Sequence, residues 1–210
     1  ERLTVVVLAD ARSFAAFTGE DEGSAVGGIY DIQTNRLVIF DNRSRGGTQG
    51  ARANSVALFH EATHQLTYNT GLLDRRGDVP LCITEGLGMV GEVRRPRNLG
   101  KVGDRNVRRI EDVLVPTLRQ GRPLIPLRTL FEDDVFDDTS RQQLAYAQSW
   151  LLVDDLLRDA EMRPGFRSYL QTIQPRRDGH QRIRDVEATL GDLDVLDRKL
   201  RNYAIKVSRR

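Results

Sequence analysis

The chain has 210 residues, 39% of them hydrophobic and 30% charged, which fits one domain with a core and a wetted surface. Its formal net charge is only +2, so charge alone does not indicate nucleic-acid binding. A single cysteine, Cys82, excludes an internal disulfide, and the longest early apolar run, Val5–Ala9, is far too short to span a bilayer.

In chain order, the β-branched run Leu3–Ala9 is predicted as the first strand. A short helix follows, capped by Asp10 and ended by Gly19. Glu20–Gly28 is an acidic loop. Gly28–Asp31 and Arg36–Phe40 form a predicted hairpin with Asp31–Asn35 turning between them. Asp41–Gly50 is rich in Gly and Arg and is expected as an exposed mobile loop. It lacks the Gly-Lys-Ser/Thr ending of a phosphate-binding loop.

The next stretch, Ser55–Tyr68 (SVALFHEATHQLTY), reads as a helix capped by Asn54 or Ser55 and stopped at Asn69-Thr70-Gly71. Val56, Phe59, Ala62 or Thr63, and Leu66 recur at helical spacing as an apolar flank. After the polar connection Leu72–Pro80, Pro80–Val93 (PLCITEGLGMVGEV) keeps helical spacing at Ile83, Leu87 and Val90 despite three glycines. Each glycine costs a helix roughly 1 kcal/mol against Ala, so three in so short a stretch point to close packing against another helix or a metal centre. Arg94–Gly103 is a basic loop. A helix is expected over Asp104–Arg119, broken near Pro116, then an extended link Gly121–Pro126, a short turn Leu127–Phe131 and an acidic Glu132–Asp138. Thr139–Arg158 is a long helix with a wide apolar stripe, followed by helices over Pro164–Ile173, Arg182–Leu190 and Asp192–Val207. Strands come before residue 41 and helices dominate after residue 54, which reads as α+β.

The chemistry is concentrated in His60-Glu61-Ala62-Thr63-His64, an H-E-x-x-H pattern. A helix advances about 100° per residue, so the two imidazoles stand one turn apart on one face and can share a metal ion. Glu61 is placed to take a proton from a water on that metal. Neutral imidazole suits Zn²⁺, which can bring the pKa of a bound water to roughly 7. A catalytic zinc site typically has three protein ligands and one open position. The remaining histidine, His180, lies far away in a Pro/Arg/Gly-rich loop, and the extended H-E-x-x-H-x-x-G-x-x-H pattern is absent because positions 67 and 70 are Thr. Glu85, on the next apolar helix, is the better third-ligand candidate; its alternative is a surface helix carboxylate.

At these residues the sequence resembles the gluzincin zinc metallopeptidases, where a Glu on a second helix completes the site. HEATHQLTYNTGL and ITEGLGMVGE look like the bacterial peptidase-MA-like branch, including its domains of unknown function. GGIYDIQTNRLVIF is similar to the hairpin those domains carry before the active-site helix, and YAQSWLLVDDLL and LGDLDVLDRKLRNYAIKV look like their C-terminal helices. Cys82 departs from the pattern, standing where an aromatic residue is common. The G-x-M-E-N segment of gluzincin aminopeptidases is missing, so the resemblance implies endopeptidase rather than aminopeptidase action.

The resemblance implies one zinc per chain held by His60, His64 and Glu85, Glu61 as base, and a peptide or protein substrate. It implies a zincin-like fold in a single domain, with an N-terminal lobe over about residues 1–70 carrying a small twisted sheet and the active-site helix, and a mainly helical lobe over about residues 71–210. Tyr146 is the candidate oxyanion donor, with packing as its alternative role, and Tyr68 and Tyr30 as rivals. Glu92 either hydrogen-bonds a ligating His or is an exposed helix-end carboxylate. Arg36–Phe40 is read either as the edge strand that holds an extended peptide or as a plain interior strand, and its alternation does not decide between them.

Two other functions are weighed. A metal-bearing scaffold without turnover has no need of Glu61. A nucleic-acid binder would use Arg43, Arg45, Arg94, Arg95 and Arg97, against the low net charge and the lack of interleaved aromatics. No membrane span or nucleic-acid partner is expected. The start at Glu1 rather than Met fits an exported product with its signal removed, and leaves compartment and oligomeric state open.

Overall fold

The computed structural model describes residues 3–21, 27–43, 47–93 and 104–209. The architecture is α+β, with a three-stranded sheet near the N-terminus and helices through the rest. β1 (Thr4–Leu8) leads into α1 (Ala11–Thr18), capped as expected: the Asp10 carboxylate accepts from the Ser13 N–H at 2.8 Å, and Gly19 ends the helix at φ 81°. β2 (Gly28–Asp31) and β3 (Arg36–Phe40) form the expected hairpin, antiparallel, with Gly28 opposite Ile39 and Asp31 opposite Arg36.

The strand order is β1-β3-β2, with β1 parallel to β3. Arg36–Phe40 is therefore the central strand, not an edge. Both of its ladder sides are in use, and Leu37, Val38, Ile39 and Phe40 are all buried. A strand buried on both faces loses the alternation that would have marked it as half-exposed. Val38 and Phe40 pack on Phe14 of α1, and the other face lies toward the next helix.

That helix, α2 (Thr48–Asn69), starts well before Asn54 or Ser55. Asn54 caps nothing: its amide accepts from the Asn42 N–H at 2.9 Å and donates to Asp41 at 3.1 Å, tying the exit of β3 to the helix side. Thr48–Gly50, expected in a loop, are helical, and Gly50 is needed because a Cβ there would stand 2.1 Å from the Asn42 carbonyl oxygen. Phe59 and Leu66, expected on a packed apolar flank, are exposed. The inward positions carry polar residues that serve the sheet: Gln65 Nε2 donates to the Thr4 and Asn35 carbonyls at 3.2 and 3.0 Å.

α3 (Leu81–Gly91) lies between α2 and α7 (Gln142–Arg158), and its three glycines make this possible. A Cβ on Gly86 would meet the Ser149 carbonyl of α7 at 2.5 Å, and one on Gly91 would meet Thr63 Oγ1 of α2 at 2.0 Å. Gly88 faces the imidazoles. The expected break near Pro116 is absent. α4 (Val107–Arg109) passes through a π-helical turn, Ile110–Leu114, into α5 (Val115–Arg119). The proline sits at the start of α5, where the wide turn before it leaves space for a ring that lacks an N–H.

α6 (Leu127–Phe131), α8 (Met162–Ile173), α9 (Arg182–Leu190) and α10 (Leu193–Ser208) complete the fold. The main core runs from α3 through α7 to α10, with Trp150, Leu151 and Val153 of α7 out of contact with solvent. Among the described residues no helix is long and apolar enough to cross a membrane. Arg45 and the loop Arg94–Gly103, with Arg94, Arg95 and Arg97, lie outside the described residues; Arg43 pairs with Asp41 at 2.7 Å.

Candidate metal centre

His60 and His64 stand one turn apart on α2, ring centroids 4.7 Å apart. Glu85 on α3 faces both: its Oε2 is 3.1 Å from His60 Nε2 and its Oε1 is 3.6 Å from His64 Nε2. The three side chains offer donor atoms that all lie within 4.8 Å of one another, close enough to bind a metal ion. Bonds of about 2.0–2.2 Å in a tetrahedral zinc site put donors about 3.4 Å apart, so the His–Glu spacings already match. Two imidazoles and a carboxylate suit a first-row divalent ion. His180 is not in the group; it lies exposed on the turn Gly179–Gln181.

Glu92 is not a solvent-facing helix end. Its Oε1 is 2.9 Å from His60 Nδ1, and its Oε2 accepts from Asn106 Nδ2 at 2.8 Å. The His60 contact holds the ring through Nδ1 and leaves Nε2 directed at Glu85. Asn106 is 2% exposed and also caps α4, accepting from the Arg109 N–H at 3.4 Å. Sequence reasoning missed Asn106: an Asn at a helix start reads as a cap, and nothing local connects it to Glu92.

The charged groups of the cluster act on one another. Burial alone would lower the His60 pKa, but hydrogen bonds to Glu85 and Glu92 outweigh it and carry it up to about 10. Burial drives His64 down to about 4. Burial opposes ionisation of Glu85 too, yet the His60 hydrogen bond and the imidazole charges hold it below the usual carboxylate range. The His64 Nδ1 is buried with no partner among the described residues.

Glu61 projects beside this group without belonging to it. Burial raises its carboxyl to about 7, with the His60 charge pulling the other way, and the Tyr30 main-chain N–H donates to it. Gly28 of β2 permits this approach: a Cβ there would be 3.1 Å from Glu61 Cγ.

The cluster opens into a cleft of about 820 Å³. It is lined by residues of β2 and α2, by Glu85 and Glu92, and by Arg108, Arg109, Gln142, Gln143 and Tyr146. The Tyr146 ring stands edge-on to Phe136, centroids 5.4 Å apart, and burial raises its phenol pKa. Tyr30 also lines the cleft, but its hydroxyl bonds Asn35 at 3.0 Å and its ring stacks on Tyr68. Sequence reasoning did not single out Arg108, Arg109, Gln142 or Gln143; paired polar residues on a helix look the same whether they face solvent or a cleft.

A family model described as a protein of unknown function, DUF1570, matches residues 54–177. No match is found among curated proteins or among solved structures. The matched span starts inside α2 and ends beyond α8, so it contains the whole metal-binding group, Glu61 and Tyr146, while the sheet precedes it. Covering more than half of the chain, the match makes this protein a member of the DUF1570 family.

Proposed function

We propose that the chain is a zinc-dependent peptide-bond hydrolase of zincin-like fold and gluzincin type, with His60, His64 and Glu85 holding one zinc ion and Glu61 as the base. The observation that carries this reading is Glu61: a carboxyl next to a metal-facing imidazole, half-buried in the same cleft, yet outside the three-donor group. A purely structural site has no use for it.

When bound, the ion would polarise the scissile carbonyl and acidify a water. Glu61 takes the proton of the attacking water and passes it to the leaving amine. A carboxyl that lines the cleft beside the metal-facing imidazoles is positioned for both halves of that transfer. The Tyr30 N–H holds the carboxylate in place. Glu92 keeps the His60 ring oriented. The Tyr146 phenol, kept protonated by burial, donates to the developing oxyanion, a contribution of roughly 3 kcal/mol for a well-placed donor. The edge strand β2, which borders the cleft through Gly28–Tyr30, holds an extended peptide by main-chain hydrogen bonds.

Elemental analysis of the purified chain should give about one zinc per molecule. Peptide-library cleavage should vanish in Glu61→Gln while zinc stays bound. Full zinc retention by His60→Ala, or undiminished cleavage by Glu61→Gln, overturns the reading.

A further inference from the structure

The cleft carries charge of both signs. Glu61, Glu85 and Glu92 line it, and so do Arg108 and Arg109 with Gln142, Gln143 and Tyr146; of these Arg109 is beside Glu92. The Arg109 side chain is only 26% exposed. Its Nη2 is 3.9 Å from Glu92 Oε1, and its Nη1 donates to Gln143 Oε1 at 3.5 Å. Neither contact is tight, since charge-assisted N–H···O bonds close to about 2.7–2.9 Å. Both Glu92 oxygens already accept, from His60 and from Asn106.

Three other arginines of the chain behave differently. Arg158 meets Asp154 at 2.8 Å, Arg176 meets Asp185 at 2.5 Å, and Arg182 meets Asp78 at 2.5 Å. A guanidinium carries five N–H donors in a planar fork shaped for a carboxylate. Withdrawing it from water with only a loose contact to Glu92 leaves part of its desolvation cost unmet, which an arriving anion offsets.

The geometry points to Arg109, with Gln143 beside it, as a seat for a carboxylate of the substrate, so that the cleft takes acidic peptides. The reach fits. Arg109 is two contacts from His60, through Glu92, or about two steps of ~3.3 Å along an extended chain. Arg108, exposed and lining the same cleft, adds positive charge that draws anionic ligands in. The carboxylate is either an Asp or Glu side chain near the scissile bond or a free C-terminus. That its carrier is a peptide rests on the hydrolase reading; the anion seat itself does not require turnover.

Zinc-loaded Glu61→Gln protein is titrated with short fluorescent peptides in four forms: central Glu or central Gln, each with a free or an amidated C-terminus. One anionic feature is expected to tighten binding about tenfold, and Arg109→Gln in the same background to abolish that ratio. Arg109→Lys, which keeps the charge but not the fork, should retain part of it and covers the case of a Gln variant that fails to fold. A Glu-over-Gln ratio identifies a side-chain carboxylate; a free-over-amidated ratio identifies a chain end. Equal binding of all four peptides, no binding, or a ratio untouched by both Arg109 variants overturns the seat. Cleavage by the parent chain is scored separately: no cleavage with the ratio intact removes the hydrolase reading and leaves the seat standing.

Discussion

Gly88 of α3 lies so close to His60 of α2 that a β-carbon on it would stand 2.8 Å from Cε1 and 2.9 Å from Nε2 of the imidazole. His64 Cε1 would be 3.0 Å from the same atom. The two metal-facing rings therefore rest on a residue that has no side chain, and the site depends on that gap.

Replacing Gly88 by Ala should show it. In an ordinary helix interior the change stabilises by about 1 kcal/mol. Here the methyl group displaces both imidazoles, so zinc affinity should fall by at least about tenfold with no gain in Tm, the usual result of overpacking. A competitive chelator titration and a thermal melt of the metal-free protein measure the two quantities. Unchanged affinity with a raised Tm would contradict the packing argument.

The Asn106–Glu92–His60 chain should hold the metal rather than the fold. Glu92→Gln should speed zinc release by roughly 10–100-fold, the usual effect of losing a partner that orients a ligating His. Asn106→Ser keeps an oxygen to cap α4 but loses the amide that donates to Glu92. It should shift zinc release in the same direction and leave the melt nearly unmoved. Release rates followed by stopped flow with a zinc indicator decide the matter.

Tyr146→Phe removes the hydroxyl and keeps the ring against Phe136. The proposed mechanism predicts a drop in kcat of about 10²-fold with little change in KM. Equal turnover by the two proteins would assign Tyr146 to packing.

Asp155 on α7 gives a pH dependence away from the metal group. Burial raises its carboxyl to about 6, with Lys199 pulling down and Asp159 and Asp154 pushing up. The folded state thus binds the proton more tightly than the unfolded chain, whose carboxyl titrates near 3.8. Stability therefore falls as pH rises from about 4 to about 6 and stays reduced above that. Asp155→Asn has no charge to bury. Its Tm relative to the parent should climb across that window and level off by neutral pH, as calorimetry at stepped pH would record.

Arg182 bridges Asp78, ahead of α3, and Asp133, whose carboxylate also accepts from the Leu81 N–H at 2.8 Å. Removing one partner of a mostly buried pair leaves the others uncompensated. Arg182→Ala should cost about 3–5 kcal/mol, or roughly 10 °C in Tm. The effect should appear equally with and without zinc, which separates it from the metal-centre variants.

Much of this fold was legible in the residues. Asp10 and Gly19 bracket α1, the hairpin follows its turn, and the long helices after α3 follow their apolar spacing, because caps, turns and periodicity act over a few residues. The three glycines of α3 announced close neighbours, and both neighbours are there. The misreadings share one cause. Asn54 or Ser55 is expected to cap a helix, and Asn54 instead ties β3 to α2; Arg36–Phe40, readable as an edge or an interior strand, is central; Pro116 is expected to break a helix and follows a π turn. Each depends on what lies opposite in space.

The same division runs through the metal centre. Amino-acid order alone placed His60 and His64 on one helical face with Glu61 beside them, since a helix repeats every 3.6 residues whatever surrounds it. Only the packing of α3 against α2, and the tie of the α4 cap to the end of α3, decided that Glu92 grips His60, that Asn106 grips Glu92, and that Arg109 lines the cleft. Those contacts cross gaps of 14 to 32 residues, and no local period encodes which side chains meet when separate helices close on one another.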